Sequence, residues 1–215
     1  MEQIGKKIMF TGDSVTDCGR LRPLGDSITE IGEGYPKRVA LSVWADHPGH
    51  DLRFQNTATS GDSTKKLLAR FDTDVIAYHP DVLFLMIGIN DCIHLYDENI
   101  VKREYQVPTE KSAENVEEMN KKCLSAGISP VIVSPLFFDL HKDGIRAARD
   151  ALAARFLVIC ETYGIPYLDV QAAVDRYMRK IGSFMLSADR IHPKDVGTEL
   201  IAHTILKSDV FRSRL

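Results

Sequence analysis

The sequence lacks several features that would indicate particular classes of protein. Lys and Arg number 27 against 30 Asp and Glu, a formal net charge of -3, so no excess of positive charge favours nucleic acid or an anionic membrane. No apolar run approaches the length of a membrane-spanning helix or a signal-peptide core. The four cysteines have no C-x-x-C spacing and are predicted to be reduced thiols of a cytoplasmic protein: Cys18, Cys92, Cys123 and Cys160.

The remaining pattern is an alternation of apolar strands and amphipathic helices. The clearest strand, in "DVLFLMIGIND", is apolar on both faces from Val82 to Ile87, as is typical of a central parallel strand. Further strands are predicted in "KIMF", "LRFQN", "ISPVIVSP" and "IPYLDV". Helices are predicted in "YPKRVALSVWAD", "TKKLLARFDTDVIAYHP", between Pro108 and Gly127, from Gly144 to Tyr163, and in "QAAVDRYMRKIG" and "KDVGTELIAHTILKS".

This alternation predicts an α/β fold, a three-layer α/β/α sandwich around a parallel sheet of about five strands. The length of 215 residues suits one domain spanning residues 1–215. The longest irregular stretch, "HLYDENIVKREYQVP", is interpreted as a substrate-side loop or a surface excursion.

The tripeptide Gly-Asp-Ser occurs three times, ending at Ser14, Ser27 and Ser63. Only Ser14 directly follows a predicted buried strand, whereas Ser27 follows "RLRPL" and Ser63 is expected to cap a helix. Ser14 is therefore the predicted nucleophile.

A serine nucleophile needs a histidine to accept its proton and a carboxylate to orient that histidine. His192 lies in "ADRIHPKD", three residues after Asp189, so that one short turn holds both groups. The alternative is that Asp189 forms a local turn and Asp195 caps the last helix.

Acyl transfer also needs donors for the oxyanion that develops on the carbonyl oxygen. Gly61 follows the second predicted strand, and Asn90 ends the most buried one. Either could equally be an ordinary turn or helix-entry residue. Because the carboxyl ends of parallel strands share one edge of the sheet, these residues are expected to converge there with Ser14 and His192.

Four segments carry a family resemblance: "FTGDSVTDCGR", "NTATSGDST", "LMIGIND" and "DRIHP" resemble the four blocks of the SGNH (GDSL) hydrolases, which have a flavodoxin-like fold. The resemblance implies a triad of Ser14, Asp189 and His192. It also implies an oxyanion hole formed by the Ser14 and Gly61 amides and the Asn90 side chain, with no metal or organic cofactor.

The substrate is suggested by a narrower likeness. The segments "GDSVTDCGRLRP", "GEGYP", "GINDCIHLYD" and "DVQAAVD" resemble the intracellular acetylxylan esterases, which deacetylate xylo-oligosaccharides. In that branch an aromatic residue follows the Gly-Ile-Asn-Asp block, where this sequence has Cys92, Ile93 and His94. The resemblance implies a homo-oligomer. Alternatives are a generic GDSL esterase or lysophospholipase-type lipase, or an acetylesterase acting on another glycan.

The sequence is also compatible with two other classes of function. Asp13, Asp17 and Asp91 suggest a phosphate-handling site with Mg²⁺, although they lack a D-x-D spacing. A non-catalytic sugar-binding module is the second, in which exposed aromatic residues would stack on sugar rings: Tyr35, Tyr96 and Tyr105.

The roles of several nearby side chains are open. Cys18 and Cys92 are interpreted as buried free thiols. Arg20 and Arg22 would contact sugar hydroxyls or form salt bridges between subunits. The other histidines lack the spacing of zinc ligands and are expected on the surface or satisfied in the core: His47, His50, His79, His94, His141 and His203.

Overall fold

The fold is built on a five-stranded parallel sheet with the strand order β2-β1-β3-β4-β5. The computed structural model describes residues 6–22, 24, 27–49, 51–96 and 106–213. The strands are β1 (Lys7–Gly12), β2 (Arg53–Asn56), β3 (Val82–Met86), β4 (Ser129–Val133) and β5 (Tyr167–Leu168). The predicted number and direction of strands are confirmed.

Helices cover both faces of the sheet. They are α1 (Ser14–Asp17), α2 (Tyr35–Asp46), α3 (Thr64–Asp74), α4 (Ile89–Tyr96), α5 (Thr109–Ser125), α6 (Gly144–Tyr163), α7 (Val170–Ile181), α8 (Asp195–Lys207) and α9 (Asp209–Arg212). One apolar cluster joins the sheet to α2, α7, α8 and α9, and the other joins it to α3, α4, α5 and α6. The three-layer sandwich is therefore confirmed.

The central strand β3 shows why the sheet is covered on both sides. Its five residues are all buried and alternate between the two clusters, with Phe84 in one and Leu83 and Leu85 in the other. A strand that is apolar on both faces needs a helical layer on each. The alternation of the chain supplies those two layers.

Local signals account for several helix boundaries. Asp143 accepts a hydrogen bond from the Arg146 amide at the start of α6, and Gly164, in the left-handed conformation, follows its end. Ser63 accepts a hydrogen bond from the Lys66 amide and caps α3, as predicted.

Other boundaries differ from the prediction. Helix α3 ends at Asp74 and is followed by a 3₁₀ turn (Ile76–Tyr78). Lys194, rather than Asp195, stands at the cap position of α8. The predicted irregular stretch begins inside α4, which runs to Tyr96; most of the rest of that stretch, residues 97–105, lies outside the described residues.

Two wider expectations concern the whole chain. That residues 1–215 form a single domain stays a prediction. Among the described residues, no helix combines the length and the apolar character needed to cross a bilayer.

Candidate active site

Ser14 lies just beyond the carboxyl end of β1. The preceding Asp13 accepts a hydrogen bond from the Val15 amide (3.1 Å) and caps α1, whose first residue is Ser14. At Gly12 a Cβ atom would lie 1.9 Å from the carbonyl oxygen of Met86 on β3, so the turn into Ser14 requires glycine. This contact sets the first Gly-Asp-Ser apart from the third, because a Cβ atom added to Gly61 would meet nothing within 4 Å.

The imidazole of His192 faces Ser14. The Ser14 Oγ atom lies 2.9 Å from Nε2 of His192, and Nδ1 of the same ring lies 2.6 Å from Oδ2 of Asp189. With the proton on Nδ1 donated to Asp189, Nε2 is left to accept the proton of the Ser14 hydroxyl. Serine, histidine and aspartate therefore form one continuous chain of hydrogen bonds.

Asp189 also organises the turn that carries His192. Its Oδ1 atom accepts hydrogen bonds from the amides of Ile191 (2.9 Å) and His192 (2.8 Å). Burial acts to raise the pKa of Asp189, but the hydrogen bonds from the His192 ring and from these amides outweigh it, so the pKa lies well below its ordinary value. The Asp189 carboxylate stays ionised over the pH range in which an esterase works.

The two catalytic side chains proposed on this turn are open to solvent. The side chains of His192 and Asp189 are 54% and 52% exposed. An ester therefore has direct access to the Ser14–His192 pair.

A loop after β2 places Gly61 beside the end of β1. Thr59 donates its amide hydrogen to the Gly12 carbonyl (3.1 Å), which ties the loop to the residue two positions before Ser14. Gly61 has a φ of +79°, a conformation that favours glycine.

Asn90 approaches the same loop from the other side. It lies in the first turn of α4, and its Nδ2 atom donates to the Asp62 carbonyl oxygen at 2.9 Å. The sequence prediction placed Asn90 at a strand end; the helix instead begins one residue earlier, at Ile89. One amide hydrogen of Asn90 is used in this bond, and the other is left for a ligand.

Asp17 holds the loop through the residue before Gly61. Its Oδ2 atom accepts hydrogen bonds from the amide and the hydroxyl of Ser60, each at 2.8 Å, and from Arg22 Nη2 at 3.1 Å. Burial acts to raise the pKa of Asp17, but the hydrogen bonds from Ser60 and the Arg22 guanidinium outweigh it and hold the pKa below its ordinary value.

The two arginines whose roles the sequence did not decide make contacts within the subunit. Arg20 is buried and donates from Nε to the Ala58 carbonyl and from Nη2 to the Thr57 carbonyl. Arg22 donates to the carbonyl groups of Arg20 and Ala58 as well as to Asp17. Both side chains thus support the loop that leads to Gly61.

The carboxylates of the magnesium alternative are engaged separately. Asp91 accepts hydrogen bonds from the Thr64 amide and hydroxyl and from the Ser112 hydroxyl, whereas Asp13 accepts from Val15. Across the ranges that the structure describes, no three His, Cys, Asp or Glu side chains are grouped to hold a metal ion. The arrangement therefore offers no ligand set for that alternative.

Asp13 is nevertheless unusual in its ionisation. It is 1% exposed, and burial raises its pKa to about 7, with the Val15 amide opposing the rise and the nearby Asp91 carboxylate adding to it. The group directly before Ser14 is therefore a carboxyl that titrates near neutral pH.

The other two Gly-Asp-Ser serines have local contacts. Ser63 caps α3, and the Ser27 hydroxyl lies 2.9 Å from the hydroxyl of Thr29. Gly25 and Asp26 of the second copy lie outside the described residues.

Four interpretations of single side chains are corrected or limited. Tyr35 is 1% exposed, because its ring packs edge-on against Phe10 and its hydroxyl bonds to Thr16. Cys18 is exposed rather than buried, whereas Cys92 is buried as expected. Tyr105 and His50 lie outside the described residues.

One important residue gave no signal in the sequence. Arg190, inside the Asp189–His192 turn, has a φ of +73°. Its guanidinium pairs with Asp139 and Asp143 and stacks over the Phe137 ring, 4.6 Å from the ring centroid. These partners lie about 50 residues earlier in the chain, so no local pattern reveals them.

Comparisons with known proteins bear on the family of the chain. Residues 24–200 match the model of the GDSL-like Lipase/Acylhydrolase family, a range that includes Gly61, Asn90, Asp189 and His192 and begins after Ser14. An acetylxylan esterase from Geobacillus stearothermophilus is 32% identical over 206 residues, which cover 94% of this chain and 93% of that protein.

Solved structures show the same fold. A crystal structure of an acetylxylan esterase from Geobacillus stearothermophilus is 30% identical, with a TM-score of 0.89 and coverage of 95% and 94% of the two chains. Further structures of that enzyme are catalytic mutants in which a serine, an aspartate or a histidine is replaced by alanine. An alpha/beta hydrolase enzyme from the metagenome of Lake Arreo, Spain, is also 30% identical, with a TM-score of 0.89 and 94% coverage of both chains.

The extent of these matches decides the class of protein. A family model that covers most of the chain and a relative of similar length at 32% identity both point to ester hydrolysis. The chain belongs to the GDSL-like lipase/acylhydrolase family and is a carboxylic ester hydrolase.

Proposed function

We propose that the protein is a serine esterase that removes short acyl groups, acetyl above all, from carbohydrates such as xylo-oligosaccharides. The observation that carries the proposal is the chain of hydrogen bonds from Ser14 through His192 to Asp189. In this order a serine hydroxyl, an imidazole and a carboxylate supply a nucleophile, a base and an orienting group.

In the first half of the reaction Ser14 Oγ attacks the ester carbonyl carbon while His192 Nε2 takes the hydroxyl proton. The carbonyl oxygen becomes an oxyanion, for which the donors are the Ser14 and Gly61 amides and the free Asn90 amide hydrogen. The C–O bond to the sugar then breaks, and His192 returns its proton to the departing sugar oxygen. The products of this half are the free sugar hydroxyl and an acyl-Ser14 ester.

In the second half a water molecule replaces the sugar. His192 takes a proton from the water, whose oxygen attacks the acyl carbon, and Ser14 leaves with the proton that His192 returns. The carboxylate of Asp189 stabilises the imidazolium in both halves. The protons and electron pairs balance with no step that calls for a metal or an organic cofactor.

The choice of a carbohydrate acetyl ester rests on similarity. The 32%-identical relative is an acetylxylan esterase, and its catalytic mutants replace the same three residue types that form the Ser14, His192 and Asp189 chain here. That similarity extends over 94% of this chain, which supports a common substrate class.

The test is acetate release from acetylated xylo-oligosaccharides and from ethyl acetate, each with and without EDTA. Ser14→Ala should abolish turnover on both esters, and EDTA should have no effect. Ser27→Ala, from the second Gly-Asp-Ser, is the matched control and should retain full activity. Asn90→Ala should lower kcat roughly a hundredfold to a thousandfold, because one oxyanion donor is lost. Full activity of Ser14→Ala would refute the mechanism.

We further propose a cytoplasmic homo-oligomer. The four cysteines are free thiols, as expected in a reducing compartment, and the resemblance to intracellular acetylxylan esterases points the same way. Light scattering of the purified protein measures the oligomer, and a monomer at micromolar concentration would refute this part.

A further inference from the structure

Tyr96 is an exposed aromatic residue with an unusual support. It is the last residue of α4, and 54% of it is exposed. A Cβ atom added to Gly144 would lie 2.3 Å from Cε1, 2.5 Å from Cδ1 and 2.9 Å from Cζ of the Tyr96 ring. The ring therefore lies directly against the backbone of Gly144, and much of its remaining surface faces solvent.

Two connections place this ring at the rim of the active site. Gly144 follows Asp143, whose carboxylate accepts a hydrogen bond from Arg190 inside the turn that carries Asp189 and His192. In the other direction, α4 begins with the turn that holds Asn90, and Tyr96 lies six positions further along the helix, a rise of about 9 Å along its axis. That distance exceeds the width of the single sugar ring that would carry the acetyl group.

We propose that Tyr96 is a binding platform for a pyranose ring of the substrate, one that neighbours the acetylated sugar rather than the acetylated sugar itself. The inference rests on the proposed function. The apolar C–H face of a pyranose packs on an aromatic ring, while the tyrosine hydroxyl and the sugar hydroxyls stay in contact with water. A ring fixed against the backbone loses little conformational freedom when it binds a ligand.

Other exposed aromatic residues fit this role less well. Phe184 is 74% exposed, but the Lys194 ammonium lies 3.7 Å from its ring centroid and occupies one face. Tyr78 is 40% exposed and lies at the opposite edge of the sheet, where its carbonyl accepts a hydrogen bond from Lys7 at the start of β1.

The test compares esters of increasing size with Tyr96→Ala, Tyr96→Leu and Tyr96→Phe. For acetylated xylotriose, Tyr96→Ala and Tyr96→Leu should lower kcat/KM roughly twofold to tenfold, mainly through a higher KM, because one aromatic contact is lost. Tyr96→Phe should retain most of the activity. All three variants should match the wild type on acetylated xylose and on ethyl acetate. Tyr78→Ala is the matched control and should match the wild type on every ester.

The outcomes separate the two proposals. A wild type that releases no acetate from any ester refutes the proposed function, and one that cleaves only ethyl acetate refutes the sugar substrate together with the platform. If the wild type deacetylates xylotriose and Tyr96→Leu does so equally well, the platform alone is wrong. An equal loss on ethyl acetate would also overturn it, because the defect would then lie in hydrolysis rather than in sugar binding.

Discussion

The carboxyl group of Asp13 couples the stability of the protein to pH. Its pKa of about 7 in the fold compares with an ordinary value of 3.8, and burial is the main cause. Between about pH 4 and pH 7 the folded protein holds a proton that the unfolded chain has released. The free energy of unfolding therefore falls as pH rises through this window, and from these two pKa values the full loss is about 4 kcal/mol.

Asp13→Asn should remove this dependence. The amide stays neutral at every pH and its oxygen still accepts the hydrogen bond from Val15. We expect the free energy of unfolding in urea to change less between pH 5 and pH 8 in the variant than in the wild type. Asp195→Asn, at a carboxyl that is 98% exposed, is the control and should leave the wild-type slope unchanged. Equal slopes for Asp13→Asn and the wild type would contradict the burial argument.

The loop of residues 57–62 is attached by hydrogen bonds to α1 and α4, two helices that begin at the active site. Asp17 of α1 holds Ser60, and Asn90 of α4 holds the carbonyl of Asp62, so Gly61 is fixed on both sides. Because an oxyanion donor acts only at the correct distance, the proposed role of the Gly61 amide depends on both attachments.

Asp17→Ala should lower kcat about tenfold to a hundredfold, because Ser60 loses both hydrogen bonds and Gly61 moves from its position. KM should change little, since binding of the substrate precedes formation of the oxyanion. Steady-state kinetics on an acetyl ester measures both constants, and a thermal unfolding scan confirms that the variant is folded. Asp72→Ala, which removes a surface ion pair with Lys122 away from this loop, is the control and should keep wild-type kcat. A purely higher KM in Asp17→Ala would show that Asp17 does not position the loop.

Elements were predictable where the signal lay in the local sequence. The apolar run of β3, the cap at Ser63 and the glycine after α6 each follow from a few adjacent residues. Helix α4 was not predicted, because Ile89 continues the apolar pattern of β3, and the bond of Asp91 to Thr64, 27 residues earlier, cannot be read from the local sequence. The short α1, whose Thr16 carbonyl accepts a hydrogen bond from Asn56, and the pairing of Arg190 with Asp143 also depend on contacts between distant segments.

At the scale of the whole molecule, the aromatic residues of one sheet face hold distant segments together. Phe84 of β3 is fully buried and lies 5.5 Å from the Phe10 ring on β1 and 5.8 Å from the Phe211 ring on α9, between ring centroids. The contact joins the first strand, the central strand and the last described helix.

Phe84→Ala should lower the free energy of unfolding by about 3–5 kcal/mol, because a large buried ring is replaced by a cavity. Phe184→Ala, at an exposed ring, should change it by less than about 0.5 kcal/mol. Urea unfolding followed by circular dichroism measures both variants. Similar losses of unfolding free energy in Phe84→Ala and Phe184→Ala would mean that the contacts of Phe84 with Phe10 and Phe211 do not support the fold.

The convergence of the site was predictable from topology rather than from any one motif. Parallel strands bring their carboxyl ends to one edge, and the order of the blocks along the chain placed Ser14, Gly61, Asn90 and His192 there. The distances between them, and the burial of Tyr35, depend on packing that no local pattern contains.

The hydrogen bond between Ser14 and His192 joins residues that are 178 positions apart. During synthesis the ribosome adds the serine 178 residues before the histidine, so throughout that interval the nascent chain carries Ser14 without its proposed base. With the proposed triad, hydrolysis begins only when the Asp189–His192 turn has docked beside the end of β1. The return of activity after dilution from urea would therefore report the docking of this turn.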